Sequence, residues 1–178
     1  DDNDRCIIGD PNPDLSLGLN LAFKYKAFTL DMFFAGDFGF DIQNHMKRQL
    51  LSMNYGNLAT NRGAEILNAW TPTNTSSDIP ALSLTDDNNE ARFSTYYVEN
   101  GSYMKMKYLK LSYSLPKNLI KRIGASNLDI YGQVENVFTM TKYKGLDPEI
   151  LPGEYGARID NGAYPRPRTF TIGLNLQF

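Results

Sequence analysis

"TFTIGLNLQF", Thr169–Phe178, alternates without a break: Phe170, Ile172, Leu174, Leu176 and Phe178 share one face of an extended chain, and Thr169, Thr171, Gly173, Asn175 and Gln177 the other. Successive side chains of a strand point to opposite faces, so the stretch reads as a β-strand with five apolar groups on one side. Chain termini usually fray. A strand this regular, closing on an aromatic, raises the question of what its greasy face lies against.

The pattern recurs. "LSLGLNLAFKY" sets Leu15, Leu17, Leu19, Leu21, Phe23 and Tyr25 against Ser16, Gly18, Asn20, Ala22 and Lys24. "FTLDMFFAGDF" sets Phe28, Leu30, Met32, Phe34 and Phe38 against Thr29, Asp31, Ala35 and Asp37, with only Phe33 out of phase. "LKLSYSL" (109–115) and "LDIYGQV" (128–134) alternate in the same way. The reading is five antiparallel strands at roughly 14–25, 27–38, 102–115, 127–139 and 168–178, the first two joined by a tight hairpin. Strands of soluble sheets average about 5–6 residues, whereas a membrane-crossing strand needs about 9–11. Several long strands with one apolar and one Ser/Asn/Asp/Gln face favour a barrel wall, lipid on one side and a polar lumen on the other. Leu17, Leu19, Leu21, Leu30, Met32, Ile130 and Ile172 are the expected lipid-facing residues. Tyr25, Phe28, Tyr113 and Phe178 fall at strand ends, where an aromatic girdle belongs.

Connections alternate between short and long: about two residues, then roughly 39–101, then 116–126, then roughly 140–167. Outer-membrane barrels have short periplasmic turns and long extracellular loops. The first long loop carries Ile42, Met46, Leu50 and Met53 at helical spacing, with Asp41 or Asn44 as cap and Gly56 as stop. A second short helix is expected from Gly63 to Trp70, with Ile66, Leu67 and Trp70 on one face. Met46, Leu50, Met53 and Trp70 are the candidate partner or ligand contacts, since an amphipathic helix left bare would form an apolar patch.

Other classes find little support. The 178 residues carry a net charge of −2 and a pI of about 5.4, so no basic field suggests nucleic acid. Apolar residues make up 42% of the chain, with no run near the roughly 18 of a membrane helix. No signal-peptide pattern is present, and the single Cys6 cannot form an internal disulfide. One histidine, His45, has no paired catalytic motif, and no phosphate loop or Cys/His cluster occurs, so neither catalytic residues nor a cofactor are expected. The acidic runs at 1–4 and at Asp86, Asp87 and Glu90 lack the glycine and spacing of a calcium loop and read better as solvated surface.

"YYVENGSYMKMKYLKLSYSLP" (96–116), "NVFTMTKYKGLDPEI" (136–150) and "DNGAYPRPRTFTIGLNLQF" (160–178) closely resemble the C-terminal end of the SusC/RagA family, TonB-dependent transporters of the Bacteroidetes outer membrane. "IIGDPNPDLSLGLNLAFKYKAFTLDMFFAGDFGFDI" and "NAWTPTNTSSDIPAL" resemble the family's strand pair and loop, so the likeness covers essentially the whole chain. Its most specific piece is Tyr143, Gly145, Asp147, Pro148 and Glu149, followed by Asp160, Tyr164 and Pro165. Those residues are expected to be structural, because Gly and Asp-Pro are turn formers.

The resemblance implies an all-β fold: about five C-terminal strands of an antiparallel transmembrane barrel of about 22 strands with a plugged lumen, and long, partly helical extracellular loops. It implies a chain, 1–178, lacking the plug domain and the remaining strands. It further implies import of oligosaccharides or peptides across the cell outer membrane, with no enzymatic step. Its expected partners are a SusD-like lipoprotein, the TonB complex acting through the absent plug, outer-membrane lipid and the rest of the barrel. Phe178, with Phe170, Leu174 and Leu176, resembles the signal by which the outer-membrane insertase recognises its substrates. Two other classes remain open: a soluble carbohydrate-binding β-sandwich using Trp70, Tyr96 and Tyr97, and a receptor or adhesin barrel that transports nothing.

Overall fold

A computed structural model describes residues 5–55, 60–85, 92–121, 124–153 and 156–178. The acidic runs at 1–4 and 86–90, and Gly56, lie outside the described residues. The chain divides into two units: one built from Pro13–Gly39, Ser102–Lys142 and Pro165–Phe178, the other from the segments up to Asn12, Phe40–Gly101 and Tyr143–Tyr164.

The first unit is the sheet. Five long strands, β1 (Leu15–Tyr25), β2 (Phe28–Phe38), β5 (Tyr103–Ser114), β6 (Asn127–Thr141) and β8 (Thr169–Gln177), pair in the order β1-β2-β5-β6-β8, every pair antiparallel. Each lies within a residue or two of the stretch that alternation marks out. A two-residue turn, Lys26-Ala27, joins β1 to β2, with Lys26 in the left-handed region (φ 54°). A short helix α2 (Lys117–Ile120) follows β5.

Register decides which residues share a face, because directly opposed residues point the same way. Leu21 opposes Met32, Met32 opposes Leu109, and Leu109 opposes Val134, which opposes Phe170. Nearer the short turns, Leu30, Leu111, Gly132 and Ile172 form a second such row, and Phe28, Tyr113, Ile130 and Leu174 a third. One apolar face therefore runs unbroken across five strands. The opposite face carries Ser16, Asn20, Asp31, Lys110, Gln133 and Asn175.

Phe33, the out-of-phase residue, lies on the polar face between Asn20 and Tyr108. The ladder slips beside it, between Phe33 and Phe34 on β2 and between Met106 and Tyr108 on β5. An extra residue in one strand flips the phase of everything beyond it. The bulge thus returns Met106 and Met104, even-numbered, to the face of Leu109 and Leu111.

The second unit holds most of the buried apolar core: Phe40, Ile42, Ile66, Ala69, Tyr97, Tyr143 and Ile150. A small sheet, β4-β3-β7, pairs β3 (Asp41–Asn44) antiparallel with β4 (Val98–Asn100) and parallel with β7 (Ile159–Asp160).

Two sequence expectations are corrected here. Ile42 to Met53 is not one helix. Ile42 is a fully buried strand residue of β3, and the helix α1 runs only His45–Leu51. Asn44 starts it, its side-chain oxygen accepting from the Lys47 N–H at 2.8 Å, and Ser52 ends it in an extended conformation. Met53 lies beyond the helix. The second expected helix is a 3-10 helix, Ala64–Asn68. Its period of three buries Ile66 and Ala69 and leaves Leu67 86% exposed, so Ile66, Leu67 and Trp70 do not share a buried face.

Candidate functional surface and buried loop cluster

The apolar face of the large sheet is the more unusual surface. Leu17, Leu19, Ile130, Ile172 and Leu174 are all exposed, Ile172 to 87%, while Leu21, Leu30 and Met32 are half-buried by their neighbours along the sheet. Phe170, Leu176 and Phe178 are likewise exposed, Phe178 one residue beyond the end of β8. In a sheet that folds against a protein core, the alternating apolar positions are the covered ones. Here they are open, whereas the polar face is knit together. Ser16 donates to Asp37 (2.7 Å), the Tyr103 hydroxyl to the other Asp37 oxygen (3.2 Å), and Ser114 to Asp129 (2.6 Å). Lys110 sits 4.3 Å over the Tyr131 ring, and Gln133 donates to Glu135. Aromatic residues gather at the short-turn end of the apolar face, where the Phe28 and Tyr113 rings are 4.8 Å apart.

No described helix is long and apolar enough to cross a membrane.

The loop unit is organised around Tyr143 and Asp160. Pairing of Asn44 with Asp160 in the small sheet places the Asp160 carboxylate, 1% exposed, where the Tyr143 hydroxyl donates to it at 2.6 Å. Its second oxygen accepts from the backbone N–H groups of Gly162 (2.8 Å) and Ala163 (3.3 Å). Burial, then the bond to Asp160, holds the Tyr143 hydroxyl well above the usual tyrosine range, so it stays a donor. Gly145 lies against the same ring: a Cβ there would come 2.3 Å from Tyr143 Cε1. The Glu149 N–H donates to Asp147 Oδ1 (2.8 Å), the turn that an Asp-Pro step favours. Tyr164 is 90% exposed and Pro165 half-exposed, so this part of the sequence motif does not join the buried cluster.

Glu99 ties three segments together. Its carboxylate accepts from the Asn44 amide (3.3 Å) and the Lys144 backbone N–H (3.1 Å) and pairs with Lys47 at 3.9 Å. Lys47 also donates to the Tyr96 carbonyl and lies 4.0 Å over the Tyr96 ring. Burial lowers the Lys47 pKa, with Glu99 opposing that shift.

Met46 packs towards Gly162, where an added Cβ would sit 2.8 Å from its sulfur, and Leu50 accepts through its carbonyl from the Gly63 N–H. Met46, Leu50 and Met53 are each half-buried. Trp70, 41% exposed, belongs to a separate knot in which its backbone N–H donates to the Ile79 carbonyl and the Asn74 side-chain amide to the Asn68 carbonyl.

Sequence reasoning missed the arginines. Arg48 is buried between the Tyr55 ring (3.9 Å) and the Phe93 ring (4.5 Å), and burial with the Arg48 charge holds His45 below the ordinary imidazole range. Arg62 donates to the carbonyls of Gln49, Met53 and Tyr55 around the end of α1, and Arg158 to those of Pro11 and Ile150. No local pattern announces such contacts, because the partners lie on other segments.

No family model matches the chain. Relatives do. TonB-dependent receptor P3 of Formosa agariphila is 37% identical over 98% of this chain and 17% of its own length. TonB-dependent receptor SusC of Bacteroides thetaiotaomicron is 34% identical over 100% of this chain and 16% of its own. Among solved structures, a chain of the RagAB peptide importer in its closed-closed state superposes with a TM-score of 0.77 at 30% identity, covering 94% of this chain and 17% of that one. The chain thus spans about a sixth of the length of the proteins it matches. By sequence and by fold, the chain matches across nearly its whole length one segment of SusC- and RagA-type TonB-dependent transporters, and the fold that it shares is that of their barrel.

Proposed function

We propose that this segment is the C-terminal part of the wall of an outer-membrane importer, energised through TonB, which takes up oligosaccharides or peptides together with a SusD-like surface lipoprotein. The observation that carries the reading is the exposed apolar face continuous over five long strands, opposite a hydrogen-bonded polar face. Lipid is the solvent in which such a face is stable without a protein cover. The peptide class draws support from the RagAB peptide importer, and the outer-membrane location from the relatives' TonB-dependent character. Plug and remaining strands would come from the rest of the polypeptide, and the two long connections would lie outside the cell.

Cysteine labelling of the whole transporter, with Cys6 replaced by serine, tests the wall. Cysteines at Leu19 and Ile172 should react with a lipid-soluble maleimide and resist a membrane-impermeant one, and cysteines at Asn20 and Thr171 should do the reverse. Equal reaction at both sets would discard the reading. Uptake of labelled peptides and oligosaccharides, with TonB or the lipoprotein removed in turn, tests the transport. Uptake unaffected by either loss would sink it.

Within the same proposal, Phe178, Phe170, Leu174 and Leu176 form the stretch offered to the insertase. One ring contributes about 4–6 kcal/mol when fully covered, about 150–250 Å² at about 25 cal/mol per Å², and less at an interface where part of it stays wet. Phe178→Ala should therefore lower surface abundance strongly while the inserted molecules melt normally. Unchanged abundance, or a parallel fall in melting temperature, would remove that role.

A further inference from the structure

The short-turn end of the sheet has a charge that the proposed function does not explain. Tyr25–Phe28 and Leu115–Leu128 contain Lys26, Lys117, Lys121 and Arg122 and no carboxylate. The long connection 39–101 instead carries seven carboxylates against four Lys and Arg. The two turns lie level with each other, since the Ser114 N–H donates to Ala27 at 2.9 Å.

Lys26, Lys117 and Lys121 are exposed, and none of them makes an ion pair among the described residues. Lys26 leans to the apolar side, its Nζ 5.3 Å from the ring of Tyr25, which opposes Phe28 on that face. Beside Tyr25 and Phe28 stands Tyr113. On α2, Leu119 is 59% exposed between Lys117 and Lys121. Aromatic rings at a rim, an exposed leucine and flexible cations around them form the side-chain set of a membrane–water interface. Lysine stems lie along apolar surface there while the ammonium reaches the phosphate level.

We propose that this end of the sheet binds the headgroups of anionic phospholipids through Lys26, Lys117 and Lys121, with Tyr25, Phe28, Tyr113 and Leu119 seated at the acyl boundary. The inference rests on the membrane-spanning reading above. Phosphate is the shared chemistry, and the assigned source is the phospholipid leaflet at the turn side. The carboxylate-free turns complement that leaflet in charge. Lys24 is a built-in control, because it opposes Thr29 on the polar face.

The test uses the complete transporter, purified in mild detergent and offered equal amounts of phosphatidylglycerol and phosphatidylcholine, with retained lipids counted by native mass spectrometry. Wild type should retain phosphatidylglycerol about threefold or more over phosphatidylcholine, as a few interfacial lysines warrant. Lys26→Gln/Lys117→Gln/Lys121→Gln should bring the ratio near unity, and Lys24→Gln should leave it unchanged. Heat-shift electrophoresis confirms assembly of each variant; if the triple variant does not assemble, the three single substitutions carry the comparison, each lowering the ratio in part. A wild-type ratio near unity, or a preference that survives loss of the lysines, overturns the proposal. So does a preference abolished by inorganic phosphate, which would assign the site to the free anion. A wild-type protein that remains soluble without detergent overturns the membrane reading itself, whereas one that inserts without preference overturns only this inference.

Discussion

Tyr143 closes the loop unit with a single hydroxyl. Its bond to Asp160 joins positions seventeen apart in sequence, and both are buried. Removing one partner of a hydrogen bond to a buried charged group costs about 1.5–3 kcal/mol. Tyr143→Phe should therefore lower the unfolding midpoint measurably, although two backbone donors still serve Asp160. Gly145→Val should be at least as harmful. Its side chain meets the Tyr143 ring, itself buried, and overpacking costs about 1–3 kcal/mol. Lys144→Ala should be nearly silent, because the Lys144 contact to Glu99 is made by its backbone N–H. Denaturant unfolding and surface abundance of the whole protein would check the series. A Lys144→Ala protein that assembles fully yet loses its nutrient would show that a binding residue had been taken for a strut. The Asp147 turn was legible in the sequence, whereas the need for glycine at 145, set by the Tyr143 ring, was not. Nor was the Tyr143–Asp160 bond, because it depends on a two-residue strand that only tertiary pairing creates.

Elements were legible in proportion to how much of their pattern is local. Each long strand repeats its period of two over seven or more residues, and the structure has all five where alternation places them. The bulge in β5 left a trace as well, for Met104 and Met106 are out of phase with Leu109 and Leu111. Ile42 misled because one β-branched residue fits either period, and pairing with β4 and β7 outweighed the helical spacing. On β8, Leu174→Arg should cost about 2–4 kcal/mol if it faces the bilayer midplane. Asn175→Arg, one residue away on the other face, should cost much less. Melting in detergent compares them, and equal losses would contradict the face assignment. Gly173 makes a second test. It opposes Tyr131 directly, and a Cβ at Gly173 would lie 2.4 Å from the phenol oxygen, so the ring covers the bare backbone of β8. Gly173→Val should destabilise, and adding Tyr131→Ala should recover part of the loss. Strictly additive losses would mean that the two residues do not interact.

At the scale of the whole molecule, the sheet has two outer edges. Among the described residues β1 pairs only with β2 and β8 only with β6, so an eleven-residue and a nine-residue strand each present one unpaired side. About half the backbone groups of each strand point to that side, and every unpaired group costs several kcal/mol in hydrocarbon. The sum is tens of kcal/mol, more than the roughly 5–15 kcal/mol of net stability a domain commands. Water offers partners for the edges but not for the apolar face, which lies open across all five strands. Neither solvent suits such a segment alone, and the proposed importer wall would supply neighbouring strands on both sides. Produced by itself, the 178-residue chain should be found in aggregates or bound to chaperones, without the heat-dependent shift in gel mobility of a closed barrel. Produced together with the remainder of the transporter as a second polypeptide, it should regain that shift and resist extraction by urea, because β1 and β8 then find the edges that complete their hydrogen bonding. A lone chain that inserts into vesicles and shows the shift would mean that the segment closes on itself or on copies of itself, and the reading of β1 and β8 as seams to further strands would have to be abandoned.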